Sequence, residues 1–167
     1  MALALGSAGV NVALIEANPM QKMETTEFDA RTTALSFGSK RFFQAMQLWD
    51  ALAPNAGAIN DIRIVDQDSP KFLHYDHKEV GDEPMGHIVE NRHLREVLFS
   101  AVDGLETVSF YAPAKYESIN LLAAIAEITL EDGHQLSAKL LIAADGKFSK
   151  LRDLVGIKHH QSDYGQT

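Results

Sequence analysis

The chain has 167 residues, 46% hydrophobic and 23% charged, enough for one ordinary domain with a real hydrophobic core. Its formal net charge of -8 argues against nucleic acid as a partner, because a phosphate-binding surface needs an excess of Lys and Arg; a local basic spot could still hold one small phosphorylated ligand. The absence of cysteine excludes disulfides, thiolate metal sites and a cysteine nucleophile. No run approaches the roughly 18 apolar residues needed to span a membrane.

Met1 to Ala8, rich in Ala and Leu, predicts the back half of a helix, with Gly9 where a C-terminal cap belongs. Val10 to Glu16 is an almost continuous apolar run with an acidic end, the pattern of a buried parallel strand. Asn18-Pro19 breaks the chain, and residues 20–30 are polar and irregular. Leu35, Phe42, Phe43, Met46, Leu48, Trp49 and Leu52 fall near helical spacing and predict a helix over 33–52, with a bend or a second short helix near Gly38 or the Gln47-Leu48 step. Pro54 ends it.

Ile59 to Val65 alternates as a strand does, Phe72 to His77 is a weaker strand, and residues 78–85 are a loop rich in Gly, Asp, Glu and Pro. Gly86 to Glu90 is a short strand, followed by Asn91 as helix N-cap and a stripe of Leu94, Val97, Leu98 and Ala101. Glu106 to Tyr111, Lys115 to Leu121, Ala124 to Glu131 and Gln135 to Ala144 read as strands, with Asp132-Gly133 as a hairpin turn. Leu140 to Ala144 is wholly apolar, the mark of a central strand, and ends in Asp145-Gly146. Ser149 then caps a last helix through about Val155.

Two positions stand out chemically. A carboxylate such as Glu16, at the end of the second strand of a dinucleotide fold, can accept hydrogen bonds from ribose hydroxyls. The alternative is a solvated strand-end acid. In Ala144-Asp145-Gly146-x-x-Ser149-x-x-Arg152 an apolar strand ends at an acid that can tie down the loop backbone, Gly146 allows a sharp turn or close approach to a ligand, and Arg152 lies one turn into the helix. His74-x-x-His77 and His159-His160 do not make a metal site. Such pairs on extended backbone diverge, and the spacing of known zinc sites is lacking. The Phe42-Phe43-Met46-Trp49 cluster reads as core.

Four stretches carry a family resemblance: Ala2-Leu-Ala-Leu-Gly-Ser-Ala-Gly9 running into Val12-Ala-Leu-Ile-Glu16; Asp29-Ala-Arg-Thr-Thr-Ala-Leu-Ser36; Val89-Glu-Asn-Arg-His-Leu94; and Ala144-Asp-Gly-x-x-Ser-x-x-Arg152. The closing Asp163-Tyr-Gly-Gln-Thr167 adds to them. The chain resembles the flavoprotein aromatic hydroxylases, and above all the ubiquinone-biosynthesis hydroxylases acting on polyprenylated phenols. The resemblance implies an α/β fold: a partial Rossmann-like FAD-binding domain, its first strand missing, with the beginning of a sheet-rich substrate region. It implies FAD-binding segments over 1–58 and 91–167, the latter containing a three-stranded meander, around substrate-region strands in 59–90.

The resemblance also implies roles. Glu16 matches the acid that holds the adenosine ribose of FAD. Arg31 matches an arginine approaching the cofactor, Arg92 a flavin-contacting position opening a helix, and Asp145 an acid linked to FAD and NAD(P)H binding. NAD(P)H and O2 would be co-substrates, a polyprenylated phenol the substrate, and other ubiquinone-biosynthesis proteins partners. The expected location is cytoplasmic, peripheral to the inner membrane face. G-x-G-x-x-G should precede Ala2, and a later Gly-Asp motif should follow; neither is in the sequence, so the chain reads as a piece cut at both ends that binds FAD weakly or not at all and is inactive alone. Another flavoprotein aromatic hydroxylase, or a non-catalytic remnant, are the alternatives.

Overall fold

The computed structural model describes residues 1–19, 30–66 and 70–165. They form two compact units, Met1–Lys115 and Tyr116–Thr167. Among the described residues no helix is long and apolar enough to cross a membrane.

In the first unit, α1 (Ala2–Ser7) leads into β1 (Val12–Ile15) through Gly9, whose φ of 81° is the left-handed conformation a glycine adopts without cost. β1 pairs in parallel with β7 (Val108–Tyr111), Val12 opposite Val108 and Ile15 opposite Tyr111. This is the parallel pairing that a Rossmann-like half requires. α1 lies close against this pair at Gly6. A Cβ there would stand 2.6 Å from Val108 Cγ2, and the Gly6 carbonyl accepts from Thr107 Oγ1 at 2.9 Å.

A three-stranded antiparallel sheet of order β2-β6-β3 follows, from β2 (Thr32–Ser36), β6 (Gly86–Glu90) and β3 (Ala56–Ile59). The helical spacing over 33–52 therefore misreads its first residues. β-branched Thr32 and Thr33 open a strand, and Ser36, accepting from the Ser39 N–H at 3.2 Å, caps the helix after it. That helix is split: α2 (Phe37–Ala45) and α3 (Trp49–Leu52) are separated at Gln47, whose φ is 57°. Leu35, Trp49, Leu52 and Val89 form a buried cluster, with Phe43, Ala56, Leu94 and Val97 packed against it. Leu94 and Val97 come from α4 (Asn91–Asp103), the helix predicted after the Gly86–Glu90 strand. Its N-cap is Glu90 rather than Asn91, with no side-chain cap bond. β4 (Asp61–Val65) and β5 (Phe72–Asp76) form a separate antiparallel pair.

The second unit is a meander of order β10-β9-β8, from β8 (Tyr116–Leu121), β9 (Ala126–Leu130) and β10 (Gln135–Ala138), turning at Gly133 with φ 85°. Ala126, Ile128 and Leu130 alternate into its buried face. The predicted central strand over 140–144 does not form. These residues carry no regular structure, and Leu140 is 72% exposed. An apolar run becomes a buried strand only where neighbouring strands satisfy its backbone, and none pairs with it here. α5 (Lys150–Leu154) closes the unit.

Candidate functional site

Glu16 follows directly on β1, at the carboxyl end of the parallel pair. Its N–H donates to the Tyr111 carbonyl at 2.9 Å and its own carbonyl accepts from the Ala114 N–H at 2.8 Å, so both strand ends hold its backbone. The carboxylate is half-buried and accepts from the backbone N–H and the side-chain amide of Asn18, each at 2.8 Å. One oxygen, Oε1, takes both bonds. In open α/β sheets, ligands lie beyond this end of the strands.

Arg31 and Arg92 lie at one junction of the antiparallel sheet. β2 and β6 pair with Thr32 opposite Glu90, so Arg31 and Asn91 adjoin one step beyond the ladder. The Asn91 N–H donates to the Arg31 carbonyl at 2.9 Å. Thr33 Oγ1 donates to Asn91 Oδ1 at 2.5 Å. Arg92 Nε donates to Glu90 Oε2 at 2.5 Å. Ala30, the residue before Arg31, has φ 55°, a left-handed conformation that costs an L-residue about 1–2 kcal/mol. Asp29, in the same motif, lies outside the described residues. Glu16 belongs to a different sheet from this junction.

Asp145 is in the second unit, where the apolar run meets α5. Ser149 Oγ donates to Asp145 Oδ1, the Leu151 N–H donates to Oδ2 at 3.2 Å, and the Arg152 N–H donates to Ser149 Oγ at 3.0 Å. Gly146, with φ 82°, makes the turn between them. The Ser149 bond holds the Asp145 carboxyl below its ordinary pKa of 3.8; desolvation opposes this and the Leu151 N–H assists. Tyr116 has its hydroxyl buried without a hydrogen-bond partner, and burial, then the Asp145 charge, pushes its pKa above 10.0. Arg152 Nη1 donates to the Lys147 carbonyl at 3.4 Å, so the Asp-Gly-x-x-Ser-x-x-Arg sequence closes on itself as a capped turn.

Arg31 is thus bonded through its backbone to Asn91, the residue before Arg92, while Glu16 and Asp145 occupy a second sheet end and a second unit. Sequence reasoning missed Glu90 and Thr33 as partners of this junction. The acid two residues before Arg92 was the available signal.

No family model matches the chain. Among curated proteins it is 35% identical to ubiquinone hydroxylase UbiL of Rhodospirillum rubrum, over all of this chain and 39% of the relative. It is 28% identical to the 3-demethoxyubiquinol 3-hydroxylase of Escherichia coli K12, over all of this chain and 43% of that protein. Among solved structures, a variant of PqsL from Pseudomonas aeruginosa superposes with TM-score 0.81 at 21% identity, over 98% of this chain and 44% of that one. The flavin-dependent monooxygenase PieE, solved with FAD and substrate, superposes with TM-score 0.70 at 16% identity, over 93% of this chain and 29% of that one. The structural likenesses establish the fold alone, that of part of each of these longer chains. The chain spans about two-fifths of the length of the curated relatives it matches. By sequence, along all of its residues, the chain is similar to part of these curated ubiquinone hydroxylases.

Proposed function

We propose that the chain is part of an FAD-dependent monooxygenase that hydroxylates a polyprenylated phenol in ubiquinone biosynthesis, with NAD(P)H and O2 as co-substrates. The observation that carries this reading is the 35% identity to UbiL along the whole chain, joined to an acid at a parallel-strand end and two arginines held at one sheet junction. Segments 1–58 and 91–167 serve the cofactor, and strands in 59–90 begin the substrate region. Ubiquinone-biosynthesis proteins are the partners in this reading, and the inner membrane face its location.

The donor set suits FAD. The Glu16 carboxylate, with Oε2 outside its Asn18 bonds, accepts from ribose hydroxyls. Arg31 and Arg92 carry guanidinium groups, the chemistry that pairs with phosphate or carbonyl oxygens. The flavin, when bound, supplies the oxygen-transfer chemistry; the protein binds and orients it. Asp145 is the acid linked to FAD and NAD(P)H binding in this reading. Its two oxygens hold Ser149 and Leu151, and so fix the loop backbone from Gly146 onward.

FAD titrated into the isotope-labelled chain should move amide signals at 16–18, 30–32 and 90–92. Arg31→Ala and Arg92→Ala should each weaken binding, by about 1.5–3 kcal/mol for a charge-assisted contact. Signals that move elsewhere while all three of these places stay still sink the cofactor assignment. Replacing the matching segment of R. rubrum UbiL by residues 1–167 tests the activity; a chimera that folds and binds FAD but forms no hydroxylated polyprenyl phenol counts against the substrate.

A further inference from the structure

Glu16 is fixed at both of its ends. Its backbone is tied to the sheet, its N–H donating to the Tyr111 carbonyl at 2.9 Å and its carbonyl accepting from the Ala114 N–H at 2.8 Å. Its head is held by the turn that follows. The backbone N–H and the Nδ2 amide of Asn18 both donate to Glu16 Oε1, each at 2.8 Å. A carboxylate offers about two lone-pair sites on each oxygen, so these two donors fill Oε1 and set the plane of the group. Both donors are neutral, so neither cancels the charge of the carboxylate. Oε2 stands outside these bonds with its own lone pairs. The rotamer freedom that a glutamate loses when it takes a ligand is already lost here. A cis-diol such as that of ribose offers two O–H donors on adjacent carbons, close enough to reach a single oxygen.

We propose that Asn18 is a positioning residue for ribose: by filling Oε1 it presents Oε2 alone, and both hydroxyls of the cis-diol donate to that one oxygen. This rests on the reading of Glu16 as the ribose-holding acid given above. Asn18 touches no ligand; it acts through Glu16. The backbone donor of the pair belongs to any residue at this position, so the side-chain amide is the part that the sequence chooses.

The test is a titration of the isotope-labelled whole chain with ADP and with its 2′-deoxy analogue. It is read at the amides of 16–18 and at the Glu16 carboxyl carbon, beside the thermal midpoint. ADP should move these signals, and the 2′-deoxy analogue should bind about tenfold more weakly, having lost one hydrogen bond to a charged acceptor. Asn18→Ala keeps the backbone donor and removes the amide. It should weaken ADP binding about two- to fivefold, the range of one exposed hydrogen bond. It should also shift the Glu16 carboxyl carbon before any ligand is added and leave the midpoint unchanged. Asn18→Ser, whose hydroxyl can donate to the same oxygen, should recover part of the affinity, and Asn18→Asp, which keeps the shape but has no donor, should recover none. The inference alone is overturned if Glu16→Ala abolishes the response while Asn18→Ala binds ADP like the parent, or if the 2′-deoxy analogue binds as tightly as ADP. If ADP moves nothing at 16–18 in the parent, or Glu16→Ala leaves the response intact, the ribose reading of Glu16 fails first and the inference goes with it.

Discussion

Two antiparallel pieces of the first unit, close in sequence, have opposite fates. The sheet β2-β6-β3 buries Leu35 and Val89 under Trp49 and Leu52, with Leu52 and Val89 fully enclosed. The hairpin β4–β5 puts Ile62, Ile64, Leu73 and Tyr75 on one face, yet they are 40%, 52%, 58% and 48% exposed. Its other face carries the Asp61–His74 bond at 2.8 Å and Arg63 over the Phe72 ring. Ladder bonds and alternation are present in both. Only the first has helices bringing side chains onto one face of the sheet, and apolar area counts only when removed from water. Pairing makes a sheet; cover makes a core.

The largest expected effect tests that contrast directly. Leu52→Ala, in the covered sheet, should cost about 2–5 kcal/mol by urea unfolding, whereas Ile64→Ala, in the hairpin, should cost well under about 1 kcal/mol. Equal losses would show that the hairpin face is covered in solution. Next comes Gly86→Ala. A Cβ at Gly86 would stand 2.4 Å from the Leu35 carbonyl oxygen, so β2 and β6 must separate, at a cost of about 1–3 kcal/mol in a packed region. Gly81→Ala, with nothing within 4 Å, should change stability by less than about 0.5 kcal/mol. An indifferent Gly86→Ala would mean that the two strands are not in contact at that end.

A pH effect sharpens the comparison further. His87 lies on β6 with its ring edge against Trp49 at 4.8 Å and its Nδ1 buried without a partner. Burial, then the Lys40 charge, lowers its pKa from the ordinary 6.5, and Glu83 opposes this. The unfolded chain therefore takes up the proton first. The covered sheet keeps its full stability above pH 6.5 and loses it as pH falls below that value. His87→Phe should flatten that slope between pH 6.5 and 5, and a slope unchanged by the substitution would assign it elsewhere. The smallest effect is a gain. Ala30→Gly, at φ 55°, should stabilise the chain by no more than about 1 kcal/mol, because glycine meets no Cβ strain there but loses more freedom on folding. A loss would show that Ala30 leaves the left-handed region in solution.

Legibility in the sequence follows the reach of the forces involved. Gly86–Glu90, the helix after it and the Asp132-Gly133 turn are readable because a few residues decide each. The capped turn at Asp145, Ser149 and Arg152 is readable for the same reason, its bonds spanning at most six positions. The strand β2 was hidden inside a helical spacing because Leu35 faces the same core as Trp49 and Leu52, and periodicity cannot tell a shared core from a shared helix. β3 went unseen because Ala56-Gly57-Ala58 has little strand propensity; its pairing with β6 holds it. Of the candidate site, Glu16, Arg31, Arg92 and Asp145 came from motif resemblance. Glu90 and Thr33 needed coordinates, since Thr33 meets Asn91 across 58 positions.

By itself, then, the sequence determined the local pieces: turns at glycines with positive φ, the Ser149 cap, the acid ending an apolar strand, and the motifs that tie the chain to its relatives. These depend on backbone sterics and hydrogen bonds within a few residues, which composition encodes directly. Tertiary structure alone decided which apolar runs are covered, that Leu140–Ala144 stays without a ladder while β1 finds β7, and that two arginines 61 positions apart in number share one junction (92 minus 31). Burial and strand pairing are properties of partners, and a residue's partners across a sheet are not written in its neighbours along the chain.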